Sequence, residues 1–295
     1  MKQRSIWFRF ALTSAACALV FSARANEWRG SPTLSRIADK GTIHIGYIPT
    51  PGTFAYKDEQ GQTVGYSIDL CWRVIEAIRG ELKRPDIKPV FRPVEPSQRI
   101  PLLQNGGIDI ECGANTNTVS RQEKVDFSHT FFQTGARLAM RKGEEVDRPI
   151  DLWRKRVAVT KGTTAESLIQ QRRAELDLTV VNVASDLEGM KLLETRQVDA
   201  FAQDDILLYA LVAQSSARDQ LTVTGRFMSV EPYAFMLPKG DVPLVALVDK
   251  TLLGLIRNGE MLNLYKKWFD TDKLRIPMNV YMKENLRFPN KYGIP

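Results

Sequence analysis

The chain has 295 residues, 43% of them hydrophobic, with 41 Lys and Arg against 34 Asp and Glu, a formal charge of +7. Four of the basic residues, Lys2, Arg4, Arg9 and Arg24, fall in the first 25 positions, which hold no acid, so the remainder carries +3. Its charges are interspersed and form no basic stripe with aromatics between, which argues against nucleic acid as a partner.

The basic start leads into an apolar run from Phe10 to Phe21 and then Ala23-Arg24-Ala25. That order predicts a signal peptide over residues 1–25, with a core too short to span a bilayer. Cys17 would suit lipid attachment, but Ser14 stands where such a site has leucine. No later apolar run is long enough for a membrane span. The exported remainder, about 270 residues, is enough for one large or two modest domains. It retains Cys71 and Cys112. Export permits a disulfide between them, and two separate buried thiols fit the spacing equally well.

Strand-like and helix-like segments then alternate. "TIHIGYI" (42–48) predicts a strand, and "SIDLCWRVIEAIRGEL" (67–82) an amphipathic helix. "KPVFRPVE" (88–95), a short helix in "SQRIPLLQNGG" and "IDIEC" (108–112) continue a β-α-β pattern. A second set runs from "RVAVT" (156–160) through a helix over 164–176 and "TVVNVA" to "VDAFAQD" (198–204). The last third has one strand, "YAFMLPKG" (233–240), and a helical stretch over 242–269 that predicts packing on the first set. The expectation is an α/β fold of two lobes with mostly parallel strands. The chain crosses between lobes near 131–140 and 228–237, and ligands sit beyond the strand ends in one cleft. The tail "IPMNVYMKENLRFPNKYGIP" is expected to strap the first lobe, the alternative being that it adds to a lobe surface that meets a partner.

Three strand ends carry capping-box spacing: Ser120 with Glu123, Thr163 with Glu166, and Ser185 with Glu188. Arg121 falls just inside a helix start, where its charge opposes the helix dipole. A guanidinium tolerated there suits an anion, gripped by two parallel hydrogen bonds, and the alternative is a surface arginine on a loop carbonyl. Thr116 lies in the small, polar stretch before it, and Thr163 and Thr164 could face it from the other lobe. Asp204 is placed either to meet a cation or to cap the helix "ILLYALVAQ". His44 and His129 lack ligand-like spacing, and the chain has no G-x-S-x-G, H-E-x-x-H, P-loop or G-x-G-x-x-G motif. Catalytic chemistry would have to rest on carboxylates such as Asp186 or Glu95.

The segments "SQRIPLLQNGGIDIECGANTNTVSRQEKVDFS", "VAVTKGTTAE", "LLETRQVDAFAQDD" and "EPYAFMLPKGD" give the chain a family likeness. It resembles the periplasmic amino-acid-binding proteins of ABC transporters, closest to the glutamate/aspartate-binding branch. The resemblance implies a type II two-lobed fold with a two-strand hinge, lobe 1 over 26–134 and 232–295 and lobe 2 over 135–231. It implies a monomer without metal or cofactor, exported to the periplasm, that passes its ligand to a membrane permease. Arg121 and Thr116 then match the groups that hold the α-carboxylate, with Ala114 contributing backbone. Thr163 matches a hydroxyl of lobe 2, and Asp204 the acid that holds the α-ammonium group. The side-chain pocket departs from that branch. Ile48 replaces an arginine, Pro96 a serine and Asp186 a histidine, while Arg99 is retained, which argues against tight glutamate binding. A cyclohexadienyl-dehydratase-like enzyme and a sensory or partner-presenting module share the architecture and remain alternative readings.

Overall fold

The computed structural model describes residues 27–271 and 274–295, so the expected signal peptide lies outside the described residues. Two five-stranded sheets organise the chain. In the first, the order is Lys88–Pro93, Thr42–Tyr47, Ile110–Glu111, Met236–Leu237, Asp126–Phe127. Thr42–Tyr47 pairs in parallel with a neighbour on each side, and its apolar side chains Ile43 and Ile45 are fully buried. The second sheet runs Thr179–Val183, Arg156–Thr160, Ala200–Asp204, Ala136–Arg141, Leu221–Thr224. Each sheet is mixed rather than mostly parallel. Strands next to a crossing, Met236–Leu237 and Ala136–Arg141, run antiparallel to their neighbours because the chain enters them from the other sheet. The crossings are Phe132–Thr134 and Glu231–Tyr233, an antiparallel pair that joins the two sheets.

Helix Tyr66–Leu82 buries Ile68, Cys71, Val74, Ile75 and Ile78 along one face, as its periodicity predicts. Cys71 on this helix and Cys112 at the end of Ile110–Glu111 form a disulfide, with Cα atoms 6.0 Å apart. The expected strand over 233–240 is broken into Glu231–Tyr233 and Met236–Leu237. The expected helix over 242–269 is two helices, Val242–Arg257 and Glu260–Phe269, because Gly259 between them takes a left-handed conformation (φ 80°). Both pack into the core around Ile43, Ile45 and Phe54.

The tail straps this lobe, as expected. Helix Val280–Arg287 is tied down at Asn279, whose amide donates to the Gln133 carbonyl (2.9 Å), and at Asn285, which donates to that of Thr130 (2.8 Å). Beyond it the Ile294 N–H donates to the Asn117 carbonyl (3.1 Å), and the Val119 N–H donates to that of Ile294 (2.8 Å). The tail thereby braces the loop between Gly113 and Thr118.

Candidate functional site

Three parallel strands of the second sheet end at helix starts on one side. Thr163 caps helix Thr164–Arg172, Asp186 opens helix Asp186–Glu194, and Asp204 precedes helix Asp205–Gln214. Opposite them, the first lobe presents the loop after Ile110–Glu111 and the start of helix Arg99–Gln104. Between the two faces lies a narrow cleft. All seven nominated residues, Arg99, Ala114, Thr116, Arg121, Thr163, Asp186 and Asp204, line it, together with Ile48, Thr50, Pro96, Thr164, Gln203 and Leu207.

Arg121 is the third residue of the short helix Val119–Gln122. The expected Ser120 cap is corrected to Thr118, whose hydroxyl accepts the Arg121 N–H at 3.1 Å. Thr118 is the residue with extended backbone, the conformation that lets a hydroxyl reach back over the first turn. Nη1 of Arg121 donates to the Thr116 carbonyl (2.8 Å) and Nη2 to the Gly162 carbonyl of the other lobe (3.0 Å). Arg99 reaches the same Gly162 carbonyl through Nη2 (3.0 Å) and gives Nη1 to the Asn115 side chain (3.0 Å). Gly162 makes this approach possible. Its φ is +79°, and a Cβ there would come within 2.9 Å of the Ser97 backbone. The lobes thus touch across the cleft.

Among the described residues, neither arginine pairs with a carboxylate within 4.0 Å. Burial, then the like charge of Arg99, pushes the Arg121 guanidinium down to about 9, which still leaves it cationic at neutral pH. Asp204 is its counterpart. Its side chain makes no capping bond, so of its two sequence readings the helix cap is not the one observed. One oxygen accepts the Tyr233 hydroxyl, and the other, Oδ1, is buried with no partner among the described residues. Burial, then the charge of Glu231, holds this carboxyl well above the usual carboxylate range. Thr163 lines the cleft, but its hydroxyl serves its own helix, donating to the Thr160 carbonyl (2.7 Å) and accepting the Glu166 N–H (3.1 Å). Ser185 caps in the same way. Glu95, one of the two acids considered for catalysis, is exposed and outside the cleft.

No sequence argument nominates Thr50, Gln203, Leu207 or the buried Glu111 and Tyr233. The available signal for Glu111 is a carboxylate inside the apolar run "IDIEC". Glu111 is fully buried, accepts the Gly113 N–H (3.1 Å) and the Asn115 amide through Oε2, and leaves Oε1 without a hydrogen-bond partner among the described residues. Burial pushes its carboxyl up from its ordinary 4.5 to about 7, against the opposing charge of Arg99. A carboxyl raised in the folded state stabilises below its unfolded pKa, and the gain is lost as pH rises through the folded value. The ligand-free protein is therefore expected to lose about 3 kcal/mol from this group between pH 4.5 and pH 8. Glu111→Gln should flatten that slope in urea denaturation series across this range. Identical slopes in the two proteins would show that Glu111 does not carry it.

No helix among the described residues is long and apolar enough to cross a membrane, and no group of three or more His, Cys, Asp or Glu there could hold a metal. Residues 43–271 match the family described as bacterial extracellular solute-binding proteins, family 3. The chain belongs to this family. This solute-binding protein is 36% identical over 289 residues to the L-glutamate/L-aspartate-binding protein of Pseudomonas aeruginosa, covering 94% of this chain and 95% of that one. Among solved structures, an ancestral arginine-binding protein bound to arginine superposes with a TM-score of 0.71 at 30% identity, over 78% of this chain and 98% of the other. An ancestral amino-acid-binding protein that is a precursor of cyclohexadienyl dehydratase gives 0.68 at 28% identity, over 80% and 99%. The type II two-lobed α/β fold expected from the resemblance is that of these proteins. The Pseudomonas relative is, by its name, a binding protein.

Proposed function

We propose that this solute-binding protein captures a free α-amino acid in the interlobe cleft and delivers it, as a periplasmic monomer, to an ABC permease. The observation that carries the reading is a cation and a carboxyl group that have no counter-ion among the described residues. Arg121 has no carboxylate within 4.0 Å, Asp204 has no cation and leaves Oδ1 unpartnered, and the two line one cleft from opposite lobes. An α-carboxylate on Arg121, with Thr116 and the Ala114 backbone beside it, and an α-ammonium group on Asp204 would complete both. Lobe 1 then comprises 26–134 and 232–295 and lobe 2 comprises 135–231, with Phe132–Thr134 and Glu231–Tyr233 as the hinge. A ligand held from both sides favours the closed arrangement by population shift. The glutamate and aspartate of the relative's name are not carried over to this chain, because Asp186 in the cleft would set a like charge against a second ligand carboxylate.

A thermal-shift screen of the exported chain against the twenty amino acids tests this. A ligand at a hundredfold excess over Kd stabilises by about 2.7 kcal/mol, so a clear rise with at least one amino acid is expected. Silence across the screen would remove the reading.

A further inference from the structure

This inference rests on the amino-acid reading of the cleft and concerns the ligand's side chain. Beyond Arg121 and Asp204, the cleft is walled by Ile48, Pro96 and Leu207, and it holds two further charged groups, Arg99 and Asp186. Arg99 is 3% exposed. Nη1 and Nη2 are taken by Asn115 and Gly162, and its buried Nε has no acceptor among the described residues. Asp186 is held by two donors on the same oxygen, the Thr160 hydroxyl (2.6 Å) and the Gln203 amide (2.8 Å), both on Oδ1. Gln203 is itself fixed, since its Oε1 accepts the Asp204 N–H at 3.0 Å. Oδ2 of Asp186 receives no donor among the described residues. The site therefore offers one orphaned donor and one open acceptor, on groups of opposite charge.

We infer that the side chain recognised here is uncharged and carries an acceptor and a donor together, a primary carboxamide, so that the ligand is asparagine or glutamine. The carboxamide oxygen takes the Arg99 N–H, its NH2 serves Asp186, and its methylenes lie along the apolar wall. A side-chain carboxylate gives Arg99 its acceptor but sets a like charge against Asp186 and leaves Oδ2 without a donor. An ammonium or guanidinium group serves Asp186 but meets the Arg99 cation and leaves Nε unpaired. An aliphatic side chain leaves both unpaired in a desolvated site. Each missing bond to a charged group is worth about 10- to 100-fold in affinity.

Isothermal titration of the exported chain with glutamine, asparagine, glutamate, aspartate, arginine, lysine, serine and leucine decides it. One of the two amides should bind tightest, by at least about 10-fold over its own acid. In Asp186→Asn, which keeps shape and removes the charge, that amide-over-acid ratio should fall about 10-fold while the acid still binds. An acid, a base, serine or leucine binding tighter than both amides would overturn the inference and leave the receptor reading standing. So would an unchanged ratio in Asp186→Asn. No binding by any ligand in the panel, together with a silent thermal screen, would remove the receptor reading and this inference with it.

Discussion

Replacing Arg121 by alanine is expected to abolish measurable amino-acid binding while leaving the ligand-free fold no less stable. Truncating one partner of a buried, hydrogen-bonded charge pair costs 2–5 kcal/mol, or about 30- to 4000-fold in Kd. Asp204 would remain to hold the ammonium group, but nothing would offset the ligand carboxylate. The stability half of the prediction follows from the ligand-free geometry. Arg121 gives hydrogen bonds to two carbonyls and has no anionic partner among the described residues, and burial lowers its pKa, so the folded protein bears a desolvated cation. Its removal relieves that cost and gives up those two bonds, a trade that suits a residue kept for its ligand rather than for the fold. Titration calorimetry with the amino acid found in the screen, beside urea denaturation of both proteins, measures the two halves. Arg121→Lys should fall between them, since it keeps the charge and loses the fork. A large drop in denaturation midpoint, with binding lost only in proportion, would make Arg121 a structural residue.

The site was legible in the sequence where its signals are local. Strand ends followed by Thr, Ser or Asp mark the helix starts of the second lobe, and Thr163 and Ser185 cap where their spacing places them. The family likeness then singled out the seven cleft residues by position. What stayed hidden depends on residues distant in sequence. Asp186 is oriented by Thr160 and Gln203, 26 and 17 positions away, and Arg121 reaches a carbonyl 41 positions on. Ser120 and Glu123 match the capping-box spacing, yet Thr118 takes the cap because it has the extended backbone. In the fold, alternation of apolar runs located nearly every element, but not the mixed direction of the strands beside the crossings. That direction is set by which sheet the chain has just left. The helical stretch over 242–269 hid its break because Gly259 is one small residue inside a continuous amphipathic pattern, and glycine spacing alone does not distinguish a tolerated glycine from a left-handed one.

Reducing the exported protein, or replacing both cysteines by alanine, should lower its stability by about 4 kcal/mol with little change in ligand affinity. Composition left the cysteines open between a bridge and two buried thiols, and the fold decides for the bridge because helix Tyr66–Leu82 brings Cys71 within disulfide reach of Cys112. The bridge closes a loop with a sequence separation of 41, which in the chain-entropy account falls between about 3 and 4.7 kcal/mol. For a chain of this size that is roughly 8–16 °C in Tm. Cys112 directly precedes Gly113 and Ala114, so the bond anchors the strand from which the cleft loop departs. Affinity should nevertheless hold at temperatures well below Tm. The loop is fixed independently by the Asn115 amide on Glu111 and by the tail bonds at Asn117 and Val119. The comparison to make is urea denaturation of the oxidised, reduced and double-alanine proteins, with calorimetric affinity measured on each. Equal midpoints in the oxidised and reduced samples would mean that the two cysteines stand as separate thiols. A loss of affinity in step with stability would mean that the bridge, rather than Glu111 and the tail, sets the position of the carboxylate clamp.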